Sequence, residues 1–209
     1  MRTGRGFERL VNFTDAVIAI AVTLLVLPLV EIPGELKPDD TMGEILDEHG
    51  GELGAFVLSF LVIWTFWAAH HHVMEYFRGY DYLLMRIHMV FLFTMISLPF
   101  STQLLTGEHF DWAVPFYIGT LLVSSLTLVA ISARGRSKPE LLHDDRAEVR
   151  RWLAQPLSLY RPVVLTLALV VSLFSPELGT YLLILLVFDN VVDRLIAKAR
   201  GLPAPDPED

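Results

Sequence analysis

The chain has 209 residues, of which 53% are hydrophobic, and its mean hydropathy is +0.49. This composition is more apolar than that of a typical soluble domain and predicts a lipid environment. The formal net charge of −8 is then a poor guide to partners, but the lack of a basic stripe with interleaved aromatic residues argues against nucleic-acid binding. The absence of cysteine excludes disulfides, thiolate metal sites and cysteine nucleophiles.

Six apolar blocks follow one another along the chain, each about 18–22 residues long, which is the length needed to cross a hydrocarbon core of roughly 30 Å. They cover residues 9–30, 53–72, 82–105, 112–133, 157–174 and 178–196. The alternating polarity of strands is missing, and only helices then satisfy the backbone in lipid. We predict an all-α membrane protein with six transmembrane helices.

The first block carries charged residues at its start. Arg9 and Asp15 lie at or just inside the edge of this apolar helix, which we predict to end at Pro28 and Pro33. Each charge costs several kcal/mol in hydrocarbon if it has no partner, so both are expected to find partners in a bundle interior. A structural network and coordination of an ion or proton by Asp15 both fit this pattern. No small-residue cleavage site ends the block, so we expect it to be retained as a helix.

An apolar stripe follows on the same helix. Ile20, Thr23 and Leu27 fall within about 60° of one another on a helical wheel, and Asp15 lies roughly 80–140° away from them. Periodicity alone favours lipid or helix contact for this stripe.

The segments between the blocks are charged. Residues 31–52 are read as an acidic loop containing Gly50 and Gly51 as breakers, and residues 134–155 as a charged segment with a short surface helix. Residues 1–200 then form one membrane domain, and residues 201–209 an acidic, proline-rich tail that we expect to be disordered.

The basic residues give the orientation. If both termini and the even-numbered loops share one side, 15 of the 16 lysines and arginines lie there, and only Lys37 lies on the other side. The positive-inside rule therefore predicts that both termini are cytoplasmic.

Histidines cluster at the end of the second block. His70, His71 and His72 with Glu75 allow three interpretations, which are metal ligation, packing near the cytoplasmic end and pH sensing. No second ligand set with suitable spacing appears, so we predict no metal site. Asp189 and Asp193 near the end of the sixth block are interpreted as paired structural groups.

Two motifs give the chain a specific resemblance. Arg9, Phe13 and Asp15, with Thr14 in place of the usual serine, resemble the R-x-x-x-F-S-D signature of the transmembrane protein 175 family, the lysosomal potassium channel and its prokaryotic relatives. Trp67, the pair His70–His71 and the later Pro99–Phe100 resemble the family's second and third helices. His88 stands where the family usually has an asparagine, so the hydrogen bonding between helices must differ there. The resemblance implies that these residues form one structural network, whose members are Arg9, Phe13, Thr14, Asp15, Trp67, His70, His71 and His88.

The resemblance implies a moderately selective potassium channel without a Thr-Val-Gly-Tyr-Gly filter loop. Four copies would assemble in the cell membrane of a prokaryote, with the first helix of each copy lining the pore. By position, Ile20 would be the narrowest point, Thr23 a polar ring one turn outward and Leu27 the outer apolar ring. The implied partners are the lipid bilayer, further copies of the chain and monovalent cations, with no cofactor other than permeant potassium.

Three other functions stay open at this stage. Asp15, Asp189 and the histidines fit the relay groups of a proton-coupled or ion-coupled secondary transporter, although glycine–proline breaks at mid-membrane are missing. A membrane enzyme would need a nucleophile–base pair, a metal motif or a phosphate loop, and none is found in the sequence. A non-conducting helical scaffold is the third alternative.

Overall fold

The computed structural model describes residues 4–106, 110–143 and 146–188, and within these ranges the chain is all-helical. The elements follow one another as α1 (Gly4–Leu24), α2 (Leu27–Glu35), α3 (Met42–Glu75), α4 (Tyr82–Thr106), α5 (Ala113–Ser137), α6 (Ala147–Ala154), α7 (Tyr160–Ser172) and α8 (Pro176–Leu182). Short 3-10 helices cover Pro139–Leu141 and Leu183–Phe188.

Four spans in the described ranges are long and apolar enough to cross a membrane. They are Arg5–Glu35, Met42–Glu75, Tyr82–Thr106 and Ala113–Ser137, and they contain most of the first four predicted blocks. The fifth block corresponds to α7, which has 13 residues and is shorter than the about 20 needed to cross upright. The sixth block begins within α8, and its part from residue 189 onward lies outside the described residues. Asp189, Asp193 and the tail 201–209 lie there too.

The prediction that Pro28 and Pro33 end the first helix is wrong. α1 ends at Leu24, before both prolines. After the turn at Leu25 and Val26 the chain is helical again as α2, which continues to Glu35. Pro28 lies in the first turn of α2, where a missing backbone N–H leaves no intrahelical bond unmade. The proline therefore starts a helix here.

The prediction of an acidic loop up to residue 52 is also wrong, because α3 begins at Met42. Thr41 and Glu44 form a capping box, in which the Thr41 N–H donates to Glu44 Oε2 at 2.7 Å and the Glu44 N–H donates to Thr41 Oγ1 at 3.4 Å. Gly50 and Gly51 each cost about 1 kcal/mol relative to alanine in a helix. They do not break a helix that is capped and long.

Helix α4 is the centre of the packing, since it contacts α1, α3 and α5, while α7 packs against α5 and α8. The largest fully buried side chains come from these central helices and include Phe66, Phe91, Met95, Leu98, Tyr117, Ile118 and Leu121. The close approach of α8 to the end of α7 requires glycine at position 179 within α8, because a Cβ there would lie 2.4 Å from the Cβ of Ser172.

The charged segment after α5 contains the predicted short helix, α6. Arg136 of α5 holds it by donating to the carbonyl oxygens of Trp152 at 3.1 Å and Leu153 at 3.2 Å. The guanidinium also lies 4.7 Å from the centre of the Trp152 ring. A cation at the carbonyl end of a helix is favourable, so Arg136 fixes α6 to the end of α5.

Candidate functional site

Helix α1 presents one open face on the subunit. Ile20 and Thr23 of α1 are exposed, and so is Leu27, the first residue of α2 after the interruption at Leu25 and Val26. Of these side chains, 59% of Ile20 and 57% of Leu27 are accessible. The opposite face of α1 carries Ile18 and Ala21, which are buried against the other helices. The described chain therefore leaves all three residues predicted from the helical wheel uncovered.

This open face differs from that of α4. The exposed side of α4 carries bulky apolar side chains, among them Phe93 and Phe100, as expected for contact with acyl chains. The exposed side of α1 also carries the small residues Ala16 and Ala19, together with Thr23. Small and hydroxyl side chains are enriched where membrane helices pack closely against one another. The α1 face is thus better suited to other helices than to lipid.

The hydroxyl of Thr23 is oriented by its own helix. Its Oγ1 donates to the carbonyl oxygen of Ile20 at 2.8 Å. The hydroxyl proton is used in this bond, so the oxygen lone pairs are left for an acceptor role. An oxygen of this kind can serve as a ligand to a cation.

Behind the open face, a polar contact ties α1 to α3. The indole Nε1–H of Trp67 donates to Asp15 Oδ1 at 2.9 Å. Trp67 also stacks on His71, with ring centres 5.3 Å apart and planes inclined by 27°. The structure thus brings together three residues of the predicted network, and Asp15 has a partner in its own subunit.

The other signature residues of α1 have different surroundings. Thr14 is fully buried and its hydroxyl donates to the carbonyl of Leu10 at 2.9 Å. Phe13 and Arg9 are exposed. The expectation that Arg9 finds a partner within the bundle is wrong for the single subunit, because no side chain in the described ranges bonds to it.

His70 and His88 join α3 to α4 in the core. Both are fully buried, and their Nε2 atoms lie 3.1 Å apart. The Nδ1 of His88 lies 2.9 Å from the carbonyl oxygen of Leu84, one turn earlier on α4. The residue that departs from the family pattern therefore forms a direct hydrogen bond with a histidine that matches it.

The histidines do not assemble a metal site within the described residues. No group of three or more His, Asp or Glu side chains converges there. His71 and Glu75 lie 3.8 Å apart at exposed positions of one helix, which is a weak ion pair at most.

Asp81 is a structural residue whose role the sequence did not reveal. It accepts the backbone N–H of Leu84 at 2.8 Å, which caps α4, and it accepts Nε–H of Arg134 at 3.0 Å. The hydrogen bond from Arg134 holds the pKa of the Asp81 carboxyl below its usual range. Because the pKa is lowered in the folded chain, this contribution to stability is complete at neutral pH and is lost only in acid, as the pH falls below the usual carboxyl range. An aspartate directly before an apolar run signals the cap, but nothing in the sequence signals the bond to Arg134.

Comparison with known proteins shows which family this arrangement resembles. The family model described as endosomal/lysosomal potassium channel TMEM175 matches residues 9–99, a range that contains the open face of α1, the Asp15–Trp67 bond and the His70–His88 pair. A Streptomyces collinus protein named as a potassium channel is 35% identical over 99 residues, which are 46% of this chain and 46% of that protein. The chain thus spans about half the length of this relative.

Longer matches agree with this result. A Chryseobacterium protein named as a potassium channel is 23% identical over 203 residues, which cover 91% of this chain and 96% of that protein. The crystal structure of a lysosomal potassium-selective channel TMEM175 homologue from Chamaesiphon minutus superposes with a TM-score of 0.69 at 22% identity, covering 90% of this chain and 98% of that one. The fold is therefore shared along nearly the whole length, and residues 9–99 resemble the TMEM175 family.

Proposed function

We propose that this chain is a subunit of a moderately selective potassium channel. Four copies surround one axis, and the open face of α1 in each copy lines the pore. Ile20 forms the narrowest ring, Thr23 a ring of hydroxyl oxygens and Leu27 an outer apolar ring. The channel needs no cofactor, and potassium occupies it only as the permeant ion.

The observation that carries this proposal is the open face of α1. Ile20 and Thr23 of α1 and Leu27 at the start of α2 stay uncovered, while Ile18 and Ala21 on the opposite side of α1 are buried. Small residues beside them permit close approach of a second helix. The Asp15–Trp67 bond lies elsewhere on α1, so it supports the helix from within the subunit.

The names of the relatives support conduction by a channel. Both curated bacterial relatives described above are named potassium channels, and the matching family is a channel family rather than an enzyme family. A secondary transporter receives no such support, and no relative described above is named as one.

The chemistry of the stripe suggests how selectivity arises. Apolar rings restrict ions because hydration water must be removed or disturbed for passage. Potassium holds its water less tightly than sodium, so it passes more easily through Ile20 and Leu27. Selectivity stays moderate because no cage of carbonyl oxygens replaces the lost water.

We also propose six membrane crossings in residues 1–200, with α7 as the fifth and a helix that begins at α8 as the sixth. The positions of 15 of the 16 basic residues support cytoplasmic termini. The cell membrane of a prokaryote is then the location, and the tail 201–209 extends into the cytoplasm.

Flux through liposomes tests this proposal. Purified protein is reconstituted with internal potassium, and efflux is compared with that from matched vesicles loaded with sodium or subjected to a proton gradient. We expect potassium efflux that exceeds sodium efflux and stays proportional to the internal potassium concentration. Flux that saturates and requires a proton gradient would establish the transporter instead, and silence of correctly assembled protein would establish a scaffold.

A further inference from the structure

We propose that His70 and His88 form an acid-sensitive clasp between α3 and α4. Both side chains are fully buried and join the two helices through a single N–N hydrogen bond of 3.1 Å. This inference concerns the packing of one subunit, and it holds whether or not the subunit conducts ions.

The hydrogen-bond partners determine the protonation of both rings. The Nδ1 of His88 faces the carbonyl oxygen of Leu84, which only accepts, so this nitrogen carries a proton and donates it. The Nε2 of a neutral His88 is then an acceptor. The Nε2 of His70 must therefore carry the proton that the two rings share.

This assignment leaves one nitrogen without a role. The Nδ1 of His70 is buried and has no hydrogen-bond partner. The ring of His70 stacks on Phe91, with centres 4.9 Å apart and planes inclined by only 10°. Apolar surroundings of this kind suit a neutral imidazole and do not stabilise a charged one.

The closed pair of imidazole rings accommodates only two protons on its four nitrogens. A third proton on the pair would sit on Nδ1 of His70, where it would be a charged donor with no acceptor. A fourth would place two N–H groups against each other across the same 3.1 Å. The closed pair is therefore built for two protons, and each further proton opposes it.

The charged groups around the clasp do not balance an added charge. His71 is the neighbour on α3, and Asp15 of α1 is already bound to Trp67. Arg161 of α7 donates to the carbonyl of Thr65 at 3.4 Å and carries a positive charge itself.

The remaining charged groups are paired elsewhere. Arg134 of α5 is bound to Asp81 at the start of α4. No carboxylate in the described ranges forms a hydrogen bond with either ring of the clasp.

The direction of the pH effect follows because no carboxylate in the described ranges balances an added positive charge on either ring. When α3 and α4 separate and water enters, each imidazole is free to take a proton near its ordinary pKa of about 6.5. Protons from water therefore bind the open arrangement in preference to the closed one. Acidification below about pH 6.5 destabilises the contact between the two helices.

Thermal unfolding in lipid nanodiscs tests the clasp, with the wild type compared with His88→Asn at pH 7.5 and pH 5.0. Asparagine offers a donor and an acceptor but does not titrate. On acidification we therefore expect the melting temperature of the wild type to fall by about 3–6 °C more than that of His88→Asn. The matched substitution His143→Asn removes a half-buried histidine outside the spanning helices and should leave the acid shift of the wild type intact. An equal acid shift in the wild type and His88→Asn would overturn the proposal.

The wild type alone provides a second test that does not depend on any variant folding. Nitrogen-15 NMR of labelled histidine at neutral pH should show His70 protonated on Nε2 and His88 protonated on Nδ1, with a coupling across the hydrogen bond. Two histidines of the same tautomer, or the absence of that coupling, would contradict the clasp.

Discussion

Thr23 lies between two apolar residues, Ile20 near the end of α1 and Leu27 at the start of α2. Ile20 and Leu27 present only carbon to the open face, while Thr23 presents an oxygen whose proton is already used. In the proposed pore, the apolar rings would set the cost of entry, and the oxygen would reduce it for a cation that has shed part of its water. The order of these three residues would then matter as much as their identity.

The substitution Ile20→Asn tests the constriction. A polar amide at the narrowest ring admits water, so we expect faster flux of both cations and a potassium-to-sodium ratio closer to one. A barrier lower by about 1.4 kcal/mol corresponds to a tenfold faster flux. The measurement is single-channel current and reversal potential in a planar bilayer, and unchanged values would exclude Ile20 as the constriction.

The matched control for this variant is Leu167→Asn on α7. Leu167 is similar in size to Ile20 and is also exposed on an apolar helix. Its helix, α7, packs against α5 and α8. Conductance and selectivity should stay at wild-type values. A similar loss of selectivity in both variants would indicate a general effect of asparagine on the membrane domain.

At the scale of single residues, the sequence predicted which side chains are exposed better than it predicted which side chains contact one another. The stripe on α1 was evident from helical spacing, and its exposure in the subunit is consistent with that prediction, while its role in a pore stays a prediction. The partner of Asp15 lies 52 positions away, at Trp67, and only family resemblance placed the two in one network. The bond of His88 to His70 could not be derived, because the family has a different residue there.

Between elements, the most specific contact is the tie from α1 to α3. Asp15 and Trp67 connect a helix with an open face to a helix of 34 residues. A hydrogen bond to a charged group contributes about 1.5–3 kcal/mol. The tie holds α1 in position while its other face remains available for a neighbouring subunit.

The variants Asp15→Asn and Trp67→Phe test this tie. Asp15→Asn weakens the acceptor, and Trp67→Phe removes the donor and leaves a partly buried carboxylate without its bond. We therefore expect both to reduce the yield of folded, assembled protein, with Trp67→Phe the more harmful. Size-exclusion chromatography of detergent-solubilised protein measures the yield.

The protein that does assemble should keep the ion preference of the wild type. Reversal potentials of the surviving Asp15→Asn channels check this point. A fully assembled variant with an altered reversal potential would instead place Asp15 in the conduction path.

Apolar length predicted the main elements, but their ends depended on local chemistry. The four long spans follow from runs of apolar residues that lipid requires to be helical. The start of α3 was misjudged because glycines and acidic residues resemble a loop, whereas the capping box at Thr41 and Glu44 stabilises a helix there. The short length of α7 could not be predicted either, because its apolar run continues past Ser172 into the turn before α8.

At the level of the whole molecule, charge is distributed unequally along the chain. Residues 31–52 carry many carboxylates and a single lysine, and in the proposed orientation all of the arginines lie on the opposite side. A negative outer surface would raise the local concentration of cations by simple electrostatic attraction. This distribution agrees with cation conduction and with the proposed orientation.

The central claim is that the open face of α1 lines a water-filled path, and the lack of native cysteine makes it directly testable. Single cysteines are introduced as Thr23→Cys in the stripe and Phe93→Cys on the bulky face of α4, and potassium currents are recorded while a charged, water-soluble thiol reagent is added. The account predicts rapid and nearly complete block of Thr23→Cys, slowed by high potassium, and no change in Phe93→Cys. A functional Thr23→Cys channel that the reagent never blocks would contradict it.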